Sequence, residues 1–188
     1  MGRMDEIEIR KGSSQIRYGP RTLGGAVNLI SAPIPDRSAW MVEVAGGDDA
    51  HSKAHVRAGS STPRTGWLIE GYTLRSDGFK QLPGAQETGF ETRDLVAKLR
   101  VNSDRTAPRY QELEVKLGYT DHRSNETYLG LTESDFKADG LQRYAASQDD
   151  VLNSEHDQLQ ARYFLRPTST TDLVVTAYRN GFSRNWYK

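Results

Sequence analysis

The chain has 188 residues, of which 27% are charged and 36% hydrophobic, with 25 basic side chains against 25 acidic ones and no cysteine. Formal neutrality leaves no basic footprint for nucleic acid, and the missing cysteines exclude a disulfide framework and thiolate metal sites. Mean hydropathy is −0.72, and no run nears the roughly 18 consecutive apolar residues of a membrane helix; a transmembrane barrel is not excluded, since its strands need only alternate.

The segment Met1 to Glu6 lacks the apolar core of a signal peptide, so an export signal is expected to be missing from this copy. Next come Ile7-Glu8-Ile9-Arg10-Lys11-Gly12, then Ser13 to Pro20 with Arg17, Tyr18 and Gly19, then Leu23-Gly24-Gly25-Ala26-Val27-Asn28-Leu29-Ile30. This order predicts a strand, a glycine turn, a short connection, a Gly-Gly turn and a second strand. Glycine at such points permits positive φ or close backbone approach.

From residue 38 onward, period-2 alternation predicts seven strands that each bury one face. They fall at about 38–46 (Trp40, Val42, Val44), 52–60 (Ala54, Val56, Ala58), 65–76, 93–102, 110–120, 158–166 and 171–183. In the fourth, Leu95, Ala97, Leu99 and Val101 oppose Asp94, Lys98, Arg100 and Asn102, with Val96 breaking the pattern. The fifth sets Leu113, Val115, Leu117 and Tyr119 against Glu112, Glu114, Lys116 and Thr120. A helical turn is expected only inside the loop near 132–148.

The connections alternate in length. Ser61–Arg64, Ser103–Arg109 and Pro167–Thr170 are short, whereas Asp77–Phe90 and Asp121–Ser154 are long; Gly46–His51 is the short exception on the long side. Outer-membrane barrels place short turns at one rim and long loops at the other, while a soluble sandwich has no such rule. The charged second face suits a wet or plugged lumen, and Trp40, Trp67, Tyr72, Tyr110, Tyr163, Tyr178, Trp186 and Tyr187 lie toward strand ends, as interfacial girdles require. A soluble all-β binding module with one solvated face is the competing reading.

The N-terminal pattern resembles the end of the plug domain of TonB-dependent outer-membrane receptors. There an Ile/Val-Glu-x-x-x-Gly strand, a Tyr-Gly turn and a Gly-Gly-x-x-Asn-x-Ile strand run straight into the barrel. The matching positions are Gly12, Arg17, Tyr18, Gly19, Gly24, Gly25 and Asn28. Tyr18-Gly19-Pro20, Ala32-Pro33-Ile34-Pro35, Glu126 to Thr132, Asp135-Phe136, Arg143 to Ser147 and Phe182 to Lys188 are similar to the ferric-citrate branch. Lys11-Gly12-Ser13 and Ser31-Ala32 depart from the family's usual residues.

The resemblance implies an all-β chain: residues 1–35 form the C-terminal part of a plug, and 36–188 the first strands, about seven, of an antiparallel up-and-down transmembrane barrel. It implies the outer membrane of a Gram-negative bacterium, outer-membrane lipid and TonB as partners, a ferric siderophore as cargo, and no cofactor or enzymatic activity. An anionic chelate needs converging cations, since charge-assisted hydrogen bonds to carboxylates are the strong ones. The candidates on the expected outer side are Arg75, Arg123, Arg143 and Arg184, with Lys80 beside them; the other reading of each is a solvated loop charge. Arg17 is expected to seat the plug against barrel carboxylates such as Glu43, Glu112 or Glu114. His51 and His55, two pleats apart on a strand, do not suit a metal, and Asp135, Asp139, Asp149 and Asp150 lack EF-hand spacing.

Overall fold

The computed structural model describes residues 2–12 and 24–188, arranged in two compact units, Met1–Pro33 and Ile34–Lys188. In the first unit, β1 (Met4–Arg10) pairs antiparallel with β2 (Ala26–Ser31), setting Ile9 opposite Val27 and Ile7 opposite Leu29. Asn28 Nδ2 donates to Glu8 Oε2 across the pair at 3.3 Å. Gly25 has φ +131°, and a Cβ there would stand 2.7 Å from the Arg10 carbonyl oxygen, so both backbone conformation and close approach require glycine. Gly12 also has positive φ, whereas Arg17, Tyr18 and Gly19 lie outside the described residues.

The second unit is one seven-stranded antiparallel meander in chain order. Its strands are β3 (Ala39–Gly46), β4 (Ser52–Ser61), β5 (Thr65–Ser76), β6 (Phe90–Asn102), β7 (Tyr110–Asn125), β8 (Val151–Thr168) and β9 (Thr171–Tyr187). This is the all-β, up-and-down architecture of a barrel fragment. The connections on one side (62–64, 103–109 and 169–170) are short; two of the three on the other, 77–89 and 126–150, are long. Strands β6, β7 and β8 outrun their expected limits, because the ladder continues through polar residues such as Asp121, His122 and Arg123. Backbone pairing does not need the apolar alternation that marks a strand in sequence.

The register sorts the side chains onto two faces. Trp40, Ala58, Ile69, Ala97, Leu117 and Leu159 share one hydrogen-bonded row, and Val42, Val56, Gly71, Leu95 and Tyr119 share the next row on the same face. The opposite face carries Glu43, His55, Tyr72, Asp94, Thr120 and His156 in a single row. The apolar face is uncovered among the described residues: Trp40 is 81% exposed and Val44 75%. A patch of this extent marks contact with lipid or a partner rather than water. The buried residues Leu68, Glu70 and Val96 lie on the polar-bearing face, which accounts for Val96 breaking the alternation.

The apolar belt does not follow the hydrogen-bonded rows. The row of Val42, at the centre of the β3 belt, runs through Val56, Gly71, Leu95, Tyr119 and Asp157 to Gly181. On β9, however, the belt is Leu173, Val175 and Ala177, so its centre stands six residues before Gly181. The centres shift steadily between these limits, by way of Ile69 on β5 and the Val115–Leu117 pair on β7. Six residues span about 20 Å, against about 29 Å for six inter-strand steps, a slope of about 35°. A level hydrocarbon slab cut across barrel strands tilted by about 35–45° produces this offset. Among the described residues no helix is long and apolar enough to cross a membrane.

Candidate functional site

The four candidate arginines do not form one cluster. On β5 and β7, Arg75 and Arg123 share a hydrogen-bonded row with Glu91, on the same face as the apolar belt but beyond its margin. They border a concavity of about 320 Å³ together with Glu87, Glu91 and Asn125. Arg75 is already engaged, its Nη2 lying 2.9 Å from Asp77 Oδ1 and 3.7 Å from Glu87 Oε2. Its charge is therefore largely compensated.

On the opposite face, in the row of Lys53, Thr92, His122 and Ser154, lies Arg184. Its guanidinium stands 5.4 Å from the Trp186 ring, which in turn stands 5.4 Å from Tyr128. Lys188 Nζ lies 4.4 Å from the Trp186 ring. The Trp186 face thus engages Arg184, which sequence assigned to an anion, together with Lys188. The register also corrects the girdle expectation, since Tyr72, Tyr110, Tyr178 and Trp186 point to the polar-bearing face and cannot meet lipid there.

The two long connections are stitched together. Gln81 N–H donates to the Leu141 carbonyl at 2.9 Å, and Arg143 N–H donates to the Gln81 carbonyl at 2.8 Å. Lys80 Nζ donates to Thr127 Oγ1 at 2.9 Å, and Asn125 N–H to the Gly89 carbonyl at 2.8 Å. Within 126–150, α1 (Glu133–Ala138) is capped by Thr132 Oγ1, which accepts from Asp135 N–H at 3.2 Å. Tyr144 donates its hydroxyl to the Asp135 carboxylate, and this bond, then the one from Thr132, holds the Asp135 carboxyl below its ordinary range. At the loop base the buried Asp150 accepts from Tyr128 N–H at 2.9 Å.

Between these stitched loops lies a concavity of about 480 Å³, lined by Lys80, Leu129, Leu131, Phe136 and Arg143 among others. Arg143 Nη1 donates to the backbone carbonyls of Gly140 and Gln142, at 3.0 and 2.5 Å. Neither Lys80 nor Arg143 has a carboxylate partner among the described residues. Glu133 also lines the concavity, but its carboxylate is paired with Lys137 at 2.6 Å, so Lys80 and Arg143 remain able to hold an anionic group of small-molecule size. Of the four candidates, only Arg143 stands in such a setting. Lys80, noted in sequence as one outer-side cation among several, is the residue brought beside it.

Sequence reasoning missed the most buried polar pair. On the polar-bearing face His55 Nε2 lies 2.8 Å from Glu70 Oε1, and Glu70 is fully buried. Arg57 Nη1 stands 3.9 Å from the same oxygen. His55 and Glu70 fall on adjacent rows of neighbouring strands, a diagonal that the strand pattern fixes only once register is known. Glu43 bonds Lys53 at 2.7 Å, and Glu112 accepts from Tyr110 at 2.7 Å. Both belong to the face expected to receive Arg17, as does Glu114, while Arg17 itself lies outside the described residues. Among the described residues no group of three or more His, Asp or Glu side chains is placed to hold a metal.

Over 104 residues, 51% of its length, the chain is 26% identical to the Vitamin B12 transporter BtuB of Photobacterium profundum. The matched stretch is 16% of that protein, so the chain spans only a small part of the relative's length. No family model matches the chain, and no solved structure matches it. The similarity supports the TonB-dependent receptor family.

Proposed function

We propose that the chain is the plug-to-barrel portion of an outer-membrane receptor that takes up a ferric siderophore, a citrate-like chelate, with energy delivered through TonB. Residues 1–35 are the end of the plug and 36–188 the first barrel strands. The sloping apolar belt carries this reading, because a soluble sheet has no reason to displace its apolar centre by six residues from β3 to β9. The BtuB relative supports the family without choosing the ligand.

Support for an anionic chelate comes from Lys80 and Arg143, two cations without carboxylate partners that face one concavity between the stitched loops. Arg75 and Arg123, on the belt-bearing face, contribute little to it, and Arg184 acts at most through the Trp186 cluster. Tyr128 lines the concavity and touches Trp186, so occupancy is expected to alter tryptophan emission.

The test is a fluorescence titration of the receptor carrying this chain, purified from outer membranes, with ferric citrate, other ferric siderophores and vitamin B12. Saturable ferric citrate binding, weakened about tenfold or more by Arg143→Ala or Lys80→Ala and left unchanged by Arg123→Ala, supports the reading. Binding of vitamin B12 in preference to every ferric chelate overturns the iron cargo and leaves the receptor architecture standing.

A further inference from the structure

Beside the concavity between the stitched loops, residues 144–150 bury every third side chain. Ser147 is 2% exposed and Asp150 7%, with Tyr144 half-buried, whereas Ala145, Ala146, Gln148 and Asp149 are exposed. Two successive turns of 3₁₀ type cause this. Ser147 N–H donates to the Tyr144 carbonyl at 3.0 Å, and Asp150 N–H to the Ser147 carbonyl at 3.2 Å. Three residues per turn set Tyr144, Ser147 and Asp150 on one face. The apolar rule is inverted here, since two alanines face water while a serine and an aspartate are enclosed. Burying such polar groups costs stability unless hydrogen bonds satisfy them.

All three satisfy theirs on one neighbouring strip of the same loop. Asp150 accepts the Glu126 N–H at its carbonyl, 2.8 Å away, and the Tyr128 N–H at Oδ2, 2.9 Å away. Ser147 Oγ accepts the Leu129 N–H at 3.4 Å, and the Tyr144 hydroxyl accepts the Thr132 N–H at 3.1 Å. Residues 127–133 form one wall of the concavity, so that wall is pinned near both ends to a single face. A fully hydrogen-bonded buried network of this kind rigidifies what it holds.

Both cations take their places from it. Thr127, between the held residues Glu126 and Tyr128, receives the Lys80 ammonium on its hydroxyl at 2.9 Å. Arg143 directly precedes Tyr144, and its N–H is bonded to the Gln81 carbonyl at 2.8 Å. Lys80 is thus referenced to Asp150, and Arg143 to Tyr144, on one short backbone.

We infer that Tyr144, Ser147 and Asp150 are positioning residues that fix the spacing of Lys80 and Arg143, and so set the affinity of the concavity for an anion; this rests on the anion-binding reading proposed above.

Dipolar EPR on the receptor carrying this chain, with nitroxides at Gly130→Cys and Gln81→Cys, measures the wall against the seam that carries both cations, without any ligand. A Cβ at Gly130 meets nothing within 4 Å and Gln81 is exposed, so both sites accept a label. The distance distribution is expected to be narrow in the parent, about twofold broader in Tyr144→Phe and Asp150→Ala, and narrow again in Asp150→Asn, which keeps an acceptor for the Tyr128 N–H. Ferric citrate titration of the unlabelled receptor gives a second readout. Asp150→Ala weakens binding about tenfold, and adding Lys80→Ala to it costs less than in the parent, because the ammonium is already misplaced. Unchanged width in Tyr144→Phe and Asp150→Ala, with the barrel still heat-modifiable, overturns the inference alone. Broadened distances in a receptor that binds no ferric citrate sustain the positioning of the two cations and overturn the citrate-like cargo instead. If Asp150→Ala is lost from the membrane, Tyr144→Phe, which removes one hydroxyl, decides by the same criterion.

Discussion

Val44 and Ser183 share a hydrogen-bonded row through Ala54, Thr73, Arg93, Asp121 and Glu155, yet the sloping belt assigns them opposite fates. Val44 is two residues from the belt centre on β3, and Ser183 is eight from the centre on β9. At a tilt of about 35° each residue advances about 2.7 Å along the membrane normal, so Val44 lies about 5 Å from the midplane and Ser183 about 22 Å. Arginine on the lipid face costs about 2–4 kcal/mol near the midplane and about 0–1 at the interface. Val44→Arg is therefore expected to destabilise the barrel by about 2 kcal/mol or more, and Ser183→Arg by less than about 0.5 kcal/mol. Equilibrium denaturation of the receptor in liposomes, with each single variant, measures the difference. Equal costs would mean that the belt runs along the hydrogen-bonded rows, and the tilted-barrel reasoning would fail.

Other outcomes follow from the local geometry. His55→Ala strips the fully buried Glu70 of its 2.8 Å partner and is expected to cost about 1–3 kcal/mol by denaturant titration, whereas Glu70→Gln, which keeps an acceptor for the ring, costs less. A Cβ at Gly89 would fall 1.8 Å from the Ser76 carbonyl oxygen, so Gly89→Ala must displace backbone where the 77–89 loop returns, at a cost on the order of 2 kcal/mol in the same assay. Asp104, in the 103–109 turn, accepts from the backbone and hydroxyl of Thr106 and then from Arg64, which lowers its carboxyl from 3.8 to about 2. Because the folded value is depressed, its contribution is complete above the ordinary carboxylate range and is lost as pH falls through about 2. Carboxyl NMR should find that midpoint and see it rise in Thr106→Ala; an unshifted Asp104 midpoint in the parent would contradict the turn geometry.

Strand identity was legible because period-2 alternation is a direct projection of a two-faced sheet onto sequence. Leu95, Ala97, Leu99 and Val101 marked β6, and Leu113, Val115, Leu117 and Tyr119 marked β7, before any pairing was known. Strand ends were not legible where alternation lapses: Asp121 to Asn125, all polar, continue the ladder opposite Val151 to Glu155. Nor was the seam between the long loops. Its contacts at Gln81, Leu141 and Arg143 run through backbone groups, which every residue carries and no composition reveals. Lys80 stood out in sequence as one outer-side charge among several; only that seam shows it to be Arg143's neighbour.

Strand parity decides what a charged residue can do in this architecture. Arg75, Arg123 and Arg179 fall on the belt-bearing parity of their strands and can meet only the membrane, its margin or the outer surface. Arg184, on the other parity of β9, faces the side that bears His122 and Ser154. A one-residue change of register would exchange these roles and carry the apolar belt to the side that buries Glu70. In the proposed receptor, register is pinned by lipid contact on one face and by the buried His55–Glu70 pair on the other. Lys80 and Arg143, on the connecting loops, are free of this parity. These can converge because their placement depends on how two loops are stitched rather than on a strand's alternation. Ligand selectivity in such a protein can therefore change through loop residues while the strand pattern, held by the membrane, stays as it is.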